Sequence, residues 1–228
     1  GRITARQIRT DLHGEPLVSS TGPKEASILL IGEAPGAQEV VYGEPFVGRS
    51  GQVLNEALEE VGIDRKQLYI TNAVSCRPPD NRTPTPDEIQ LCRDRLVQEI
   101  QAVKPKLIVT LGAVPMRSIL RLNGIVKHHG QEIYSEEFNC LVLPCYHPSF
   151  ILRDPQRQHE FIQDIQKILR LVDDAVSKTE INYIVIDSFT KLYQMKNELQ
   201  NLPAIAFDIE TNGLNPFMDG ALVTALSF

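Results

Sequence analysis

The run Gly32-Glu33-Ala34-Pro35-Gly36, followed by Gly43-Glu44-Pro45-Phe46-Val47-Gly48-Arg49-Ser50-Gly51, places glycines and carboxylates directly after an apolar, β-branched segment. Glycines there let the backbone approach a ligand closely and expose amides at the next helix N-terminus, which suits an anion or a base. A tight strand-to-helix connection needs the same residues. Asp208 and Glu210 are separated by one residue in an apolar run. On a strand, two such carboxylates face one side and can share divalent metals for phosphodiester hydrolysis, although an Asp-x-Glu pair alone is a common pattern. The four cysteines, Cys76, Cys92, Cys140 and Cys145, include no Cys-x-x-Cys pair. Buried thiols are as good a reading of them as metal ligands.

The elements that must hold these groups alternate between short apolar runs and amphipathic helical patterns, the mark of βα units around a parallel sheet. The pattern predicts strands over 27–31, 68–71, 107–111 and 141–144, and helices over 51–61, 86–102, 114–122 and 158–172. The expected fold is α/β, a three-layer α/β/α domain with a small central parallel sheet and its ligands outside the carboxyl ends of the strands. A polar stretch over 173–180 reads as a linker. A second α/β unit is expected to begin after it, with a strand over 181–186, a helix over 188–202 capped by Ser188, and a strand over 204–209. The expected domains are 1–175 and 176–228.

The 228 residues are 42% apolar and 23% charged, enough for one globular domain and part of another. A net charge of −6 argues against bulk electrostatic capture of nucleic acid, so any DNA contact must rest on local basic positions and fitted loops. No stretch approaches the ~18 consecutive apolar residues of a membrane span, and the N-terminus has no signal-peptide pattern. A cytoplasmic protein without a membrane partner is expected. The chain opens on Gly1 and stops within the apolar run Leu226-Ser227-Phe228, so a piece of a longer protein is also expected.

The run from Gly32 to Asn55 is similar to the first signature of the iron–sulfur-type uracil-DNA glycosylases. The resemblance continues through Tyr69-Ile70-Thr71-Asn72-Ala73-Val74 and Cys76-Arg77-Pro78-Pro79-Asp80-Asn81-Arg82, and resumes at Tyr146-His147-Pro148-Ser149, in family order and at family-like spacing. It implies hydrolysis of the N-glycosidic bond of uracil in DNA by base flipping, with uracil-containing DNA as the partner. Asn72 then accepts from uracil N3 and donates to O4, a pattern that cytosine reverses at a cost of roughly 1–3 kcal/mol per unpaired buried group. Phe46 offers a stacking face worth about 1–3 kcal/mol. His147 donates to O2 as charge builds on the leaving base. Glu33 orients the attacking water and stabilises an oxocarbenium-like sugar. Gly32 and Ala34 belong to the same substrate-binding loop.

The resemblance also sets Glu39 against the C5 edge of the base, excluding the thymine methyl, although Val40 stands where the family usually has Asp. Ser149 to Arg153 resembles the loop that enters DNA, with Ile151 or Leu152 as the wedge, Ser149 beside it and Arg153 on a phosphate. Arg49, Arg77 and Arg82 are further candidates for backbone contacts. Without the resemblance these residues have plainer fates: Asn72 a strand-end cap, Phe46, Phe150 and Leu152 core residues, Glu33 and the arginines solvated. His128 and His129 are expected to face solvent.

Cys76 and Cys92 resemble the second pair of ligands of the family's four-iron cluster. The first pair, a Cys-x-x-Cys before the first motif, is missing: Gln7 and Thr10 stand there in the best registration, with Leu12 following, and a shorter registration leaves Ile3 in place of one ligand. Such a cluster wants four thiolates. No cofactor is therefore expected for the glycosylase, its iron–sulfur ligand set being incomplete.

Residues 206–214 resemble the first exonuclease motif of the 3′–5′ proofreading domain of family A DNA polymerases, with residues 222–228 resembling the next strand. The second unit is thus the expected start of an RNase H-like exonuclease domain, in which Asp208 and Glu210 hold divalent metal only once the domain is complete. This length alone is not expected to be an active exonuclease. The resemblances together imply a glycosylase module attached to the remainder of a polymerase in cis, phage-type or bacterial. The alternative is a catalytically weak domain that senses uracil in DNA for that polymerase.

Overall fold

The computed structural model describes residues 16–177, 193, 208–211 and 223–227. Five strands form one sheet: β1 (Ile28–Gly32), β2 (Tyr69–Asn72), β3 (Leu107–Leu111), β4 (Ile133–Ser135) and β5 (Cys140–Cys145), in the order β2-β1-β3-β5-β4. Four of them run parallel, and β4 pairs antiparallel with β5 at the edge. The sheet is therefore mixed rather than purely parallel. At three residues, with only Ser135 of β4 buried, that edge strand carries too little alternation to be read from sequence.

The buried strands alternate their side chains between two cores. Leu30, Leu107, Val109, Leu111 and Leu143 face α2 (Arg49–Glu60) and α7 (Gln158–Ser177). Leu29, Ile31, Ile108 and Val142 face α3 (Pro86–Val103) and α4 (Ala113–Leu120). The three layers follow from these two periods, two in the strands and 3.6 in the helices. In α3 the buried stripe is Ile89, Arg93, Leu96, Ile100 and Val103; the one charge in it, Arg93, reaches both oxygens of Glu137 at 2.8 Å. In α7 it is Phe161, Ile165, Ile168 and Leu171. This helix runs on through Ser177, so the start of the polar stretch read as a linker is helical.

Three short helices escaped the periodicity: α1 (Ala37–Tyr42), α5 (Ile125–His128) and α6 (Pro148–Arg153). None is long enough to show a stripe. The start of α3, by contrast, is written in Thr85-Pro86-Asp87-Glu88: Thr85 Oγ1 accepts from the Glu88 N–H at 3.2 Å and Glu88 Oε2 accepts from the Thr85 N–H at 2.7 Å. Thr85→Ala is expected to cost about 1 kcal/mol, read as a lower urea midpoint at unchanged m-value.

The chain divides into two units, 1–180 and 181–228. In the second, β6 (Asp208–Thr211) pairs antiparallel with β7 (Val223–Ser227), with an irregularity between Glu210 and Thr211. Asp208 and Glu210 both fall on β6. β7 falls within the strand expected over 222–228; apart from Tyr193 and the end of the 204–209 strand, the remaining elements expected in that unit lie outside the described residues. Gln7, Thr10, Leu12 and Ile3 lie outside them as well.

Candidate active site

The chain leaves β1 for β2 on one side of it and then crosses to β3 on the other. The crevice outside the carboxyl ends of β1 and β3 is thus a topological switch point, the usual ligand position in such sheets. A cleft of about 520 Å³ opens there. Its walls include Glu33, Ala34, Glu39, Phe46, Asn72, His147, Ser149 and Arg153. Residues separated by more than a hundred positions in sequence meet because β1, β2 and β5 all end at one rim.

The register pairs Gly32 with Asn72. A Cβ at residue 32 would lie 2.3 Å from Asn72 Oδ1 and 2.6 Å from Phe46 Cε2 and Cζ, so glycine is what lets these two side chains close over the strand end. Both are buried. Phe46 adopts φ 53, a left-handed conformation unusual for a bulky residue. Its turn is braced from three directions. Glu39 Oε1 accepts from the N–H groups of Val47 and Gly48 at 3.0 and 2.8 Å, Arg65 Nη2 donates to the Pro45 carbonyl at 2.7 Å, and Gly51 sits so close to the Phe46 carbonyl that a Cβ there would fall 1.9 Å from it. The surroundings thus over-determine a strained residue, as ligand-facing positions often require.

His147 lies across from Phe46, with ring centroids 5.8 Å apart. The Ser149 N–H reaches its Nδ1 at 3.1 Å, a contact only an unprotonated Nδ1 accepts, and Ser149 Oγ lies 2.7 Å from the same atom. The neutral ring therefore carries its proton on Nε2. Burial, and then the Arg153 cation, push the His147 pKa down to about 4. Glu33 moves the other way: burial raises its carboxyl above the ordinary value, against the lowering influence of Arg153 and Arg117. Two titratable groups at one rim, displaced in opposite directions, are an arrangement acid–base chemistry uses.

Several of the expected residues have partners in the structure, and the expectations for Ile151 and for the two histidines need correction. Glu39 lines the cleft, and its carboxylate is engaged with three backbone amides, the third being Gly36 N–H on Oε2 at 3.1 Å, so that it also braces the Phe46 turn. Ile151 is buried in the α2–α7 core, which leaves Leu152, 39% exposed, as the apolar tip of that helix. Ser149 lies on the cleft wall and bonds to His147. Arg82 forms a two-pronged pair with Glu88 at 2.8 and 2.7 Å, and Arg77 Nε donates to Asn81 Oδ1 at 2.8 Å. Arg49 and Arg153 are exposed. His128 and His129 are both half-buried; His129 stacks on Tyr146 at 4.2 Å, and its Nδ1 lies 2.7 Å from Oδ2 of the buried Asp164. Sequence reasoning missed Arg65, Arg95 and Arg117, whose roles come from distant partners and leave no local pattern.

The cysteines do not fit a four-thiolate cluster. Cys76, Cys92 and Cys140 belong to the α3 side of the sheet and Cys145 to the opposite core. Burial lifts the Cys140 thiol to about 11 and raises that of Cys145 well above its ordinary value, so neither is ready as a thiolate. Among the described residues no group of three or more His, Cys, Asp or Glu side chains converges to hold a metal. No helix among them is long and apolar enough to cross a membrane.

This sheet order with a cleft at its switch point accords with a family comparison: residues 19–170 match the model of the uracil DNA glycosylase superfamily, and the chain belongs to that superfamily. The type-4 uracil-DNA glycosylase of Archaeoglobus fulgidus is 38% identical over 169 residues, covering 70% of this chain and 85% of that protein. The type-4 enzyme of Thermotoga maritima is 39% identical over 155 residues, 66% of this chain and 80% of its own length. A DNA polymerase of Bacillus phage SP01 is 30% identical over 208 residues, 87% of this chain but 22% of the polymerase.

Proposed function

We propose that the first unit hydrolyses the N-glycosidic bond of uracil in DNA by base flipping, and that it does so without an iron–sulfur cluster. The observation that carries this is the convergence of Glu33, Phe46, Asn72 and His147 on one cleft, with Glu33 and His147 displaced in opposite directions. The flipped base stacks on Phe46, and the Asn72 amide pairs with N3–H and O4. As the C1′–N1 bond breaks, its electron pair leaves with the base. Charge gathers on O2, and His147 Nε2–H donates to it. The Glu33 carboxylate stabilises the cationic sugar and takes a proton from the water whose oxygen bonds to C1′. The products are an abasic sugar and the uracil anion, which takes a proton from solvent at N1 while Glu33 returns the water proton to solvent. Leu152, Arg153 and Arg49 are proposed to face the DNA.

The test is release of free uracil from a uracil-containing oligonucleotide, followed against pH in single turnovers. Glu33 must be ionised to act, and its value is raised, so the rate falls as pH drops through that raised value. His147, at about 4, stays neutral throughout. Glu33→Gln is expected to lower the rate by about 10²–10⁴-fold and to abolish the acid limb. Burial disfavours the ionised Glu33, so whatever stability its neutral form contributes is present at low pH and lost as pH rises through the folded value; the Gln variant should melt higher at pH 7. An acid limb that survives Glu33→Gln removes Glu33 as the base. Tight uracil-dependent binding without product at high enzyme concentration removes the hydrolase reading in favour of a sensing domain.

The attachment of this module to a polymerase is part of the same proposal. The phage polymerase match spans more of the chain than the residues up to 170 contain, so it extends into the C-terminal segment. There Asp208 and Glu210 are proposed as metal ligands of a complete exonuclease domain.

A further inference from the structure

We infer that Arg95 is a positioning residue that aims the Asn72 amide, an inference resting on the reading of Asn72 as the group that recognises the base. β2 is the edge strand of the sheet. On its outer side Ile70 is paired with Thr21, N–H to carbonyl in both directions at 2.8 and 2.9 Å. Two residues on, the Asn72 carbonyl points to that same side, where the isolated bridge has ended. Arg95, reaching up from α3, takes the place of the missing strand. Its Nη2 donates to the carbonyls of Asn72 and Ala73 at 2.5 and 3.2 Å, and its Nη1 donates to Thr71 Oγ1 at 3.0 Å.

The guanidinium is itself held. Glu99 Oε1 lies 3.0 Å from Nη1, and Thr71 Oγ1 donates to Glu99 Oε2 at 2.8 Å, so the three side chains close a ring. From the inner side the N–H groups of Ala73 and Val74 donate to the carbonyls of Gly32 and Glu33 at 2.9 and 3.1 Å. The peptide that follows Asn72 is therefore gripped on both edges. Its rotation sets where the Asn72 Cβ points, and so whether donor and acceptor meet a base in register. A planar fork that engages the strand-end carbonyls with one nitrogen and the Thr71 hydroxyl with the other is a task for Arg and not for Lys.

The experiment is a double-mutant cycle on the 228-residue chain, read as single-turnover kcat and as KM for a uracil-containing oligonucleotide. Arg95→Met is expected to lower kcat by about 10-fold or more with KM changed less than about twofold, because the misplaced amide fails the transition state rather than the DNA. In an Asn72→Ala background the same substitution should change kcat by less than about twofold, since the group it aims is gone. Thr71→Val, which keeps the strand and loosens the guanidinium, should give a smaller loss with the same non-additivity, and decides the matter if Arg95→Met does not fold. Additive losses, or a wild-type kcat for Arg95→Met, overturn the inference while leaving Asn72 as the reader. A wild-type rate for Asn72→Ala overturns the reading of the base itself, and the inference with it.

Discussion

His147→Ala is expected to lower single-turnover release of uracil by about 10²–10³-fold, the usual loss when one donor to a developing oxyanion is removed. The loss should be nearly constant from pH 6 to 9. Burial and Arg153 hold the imidazole neutral above a pKa of about 4, so its charge state does not change over that range, and the Ser149 N–H fixes the proton on Nε2. A neutral donor matched to a weakly basic leaving group gives its hydrogen bond without giving up its proton. A loss confined to the acid side of the profile would mean that the imidazolium is the active form. An unchanged rate would mean that O2 lies elsewhere.

Gly32→Ala is expected to lower kcat/KM by about 10²-fold, the scale of a displacement of roughly 1 Å at a reacting centre. The new Cβ would fall 2.3 Å from Asn72 Oδ1 and 2.6 Å from two Phe46 ring carbons, and neither side chain has room to retreat. Each is 6% exposed; the main chain beside Asn72 is held by Arg95, and the Phe46 turn by Glu39 and Arg65. Overpacking of this kind typically costs about 1–3 kcal/mol of stability, so the variant should remain folded at 25 °C and show its defect as lost recognition. Thermal melts alongside the kinetics separate the two. Wild-type turnover by a folded Gly32→Ala protein would show that uracil does not sit between Phe46 and Asn72.

The parts of the fold that were legible in the sequence are those with a period. The four parallel strands lie within a residue or two of the expected bounds, as do the starts of α2, α3, α4 and α7. Short elements had no such signal, and β4, α1, α5 and α6 emerged only in the structure. The site divides in the same way. The identity of its groups was present in the Gly32 loop, in the Asn72 strand end and in Tyr146-His147-Pro148-Ser149. What holds those groups was not, because Arg95 reaches them from a helix more than twenty residues along the chain and His129 is buried only by contacts with Tyr146 and Asp164.

The sequence by itself supplied the groups of the candidate site: a carboxylate, an amide and an imidazole, each at the end of an apolar run and so bound for one rim of a sheet, and an aromatic face in the glycine-rich turn that follows the first of them. It also showed that the given residues hold no Cys-x-x-Cys pair of the kind such a cluster would draw on. Only the tertiary structure decided how those groups are held and tuned. Glu39 gained the task of bracing the Phe46 turn, Ile151 became a core residue instead of a wedge, and Ser149 the partner that sets the His147 tautomer. The physical reason is that residue type and periodicity carry local preference. Desolvation, tautomer and the aim of an amide are set by atoms that become neighbours only when the layers close.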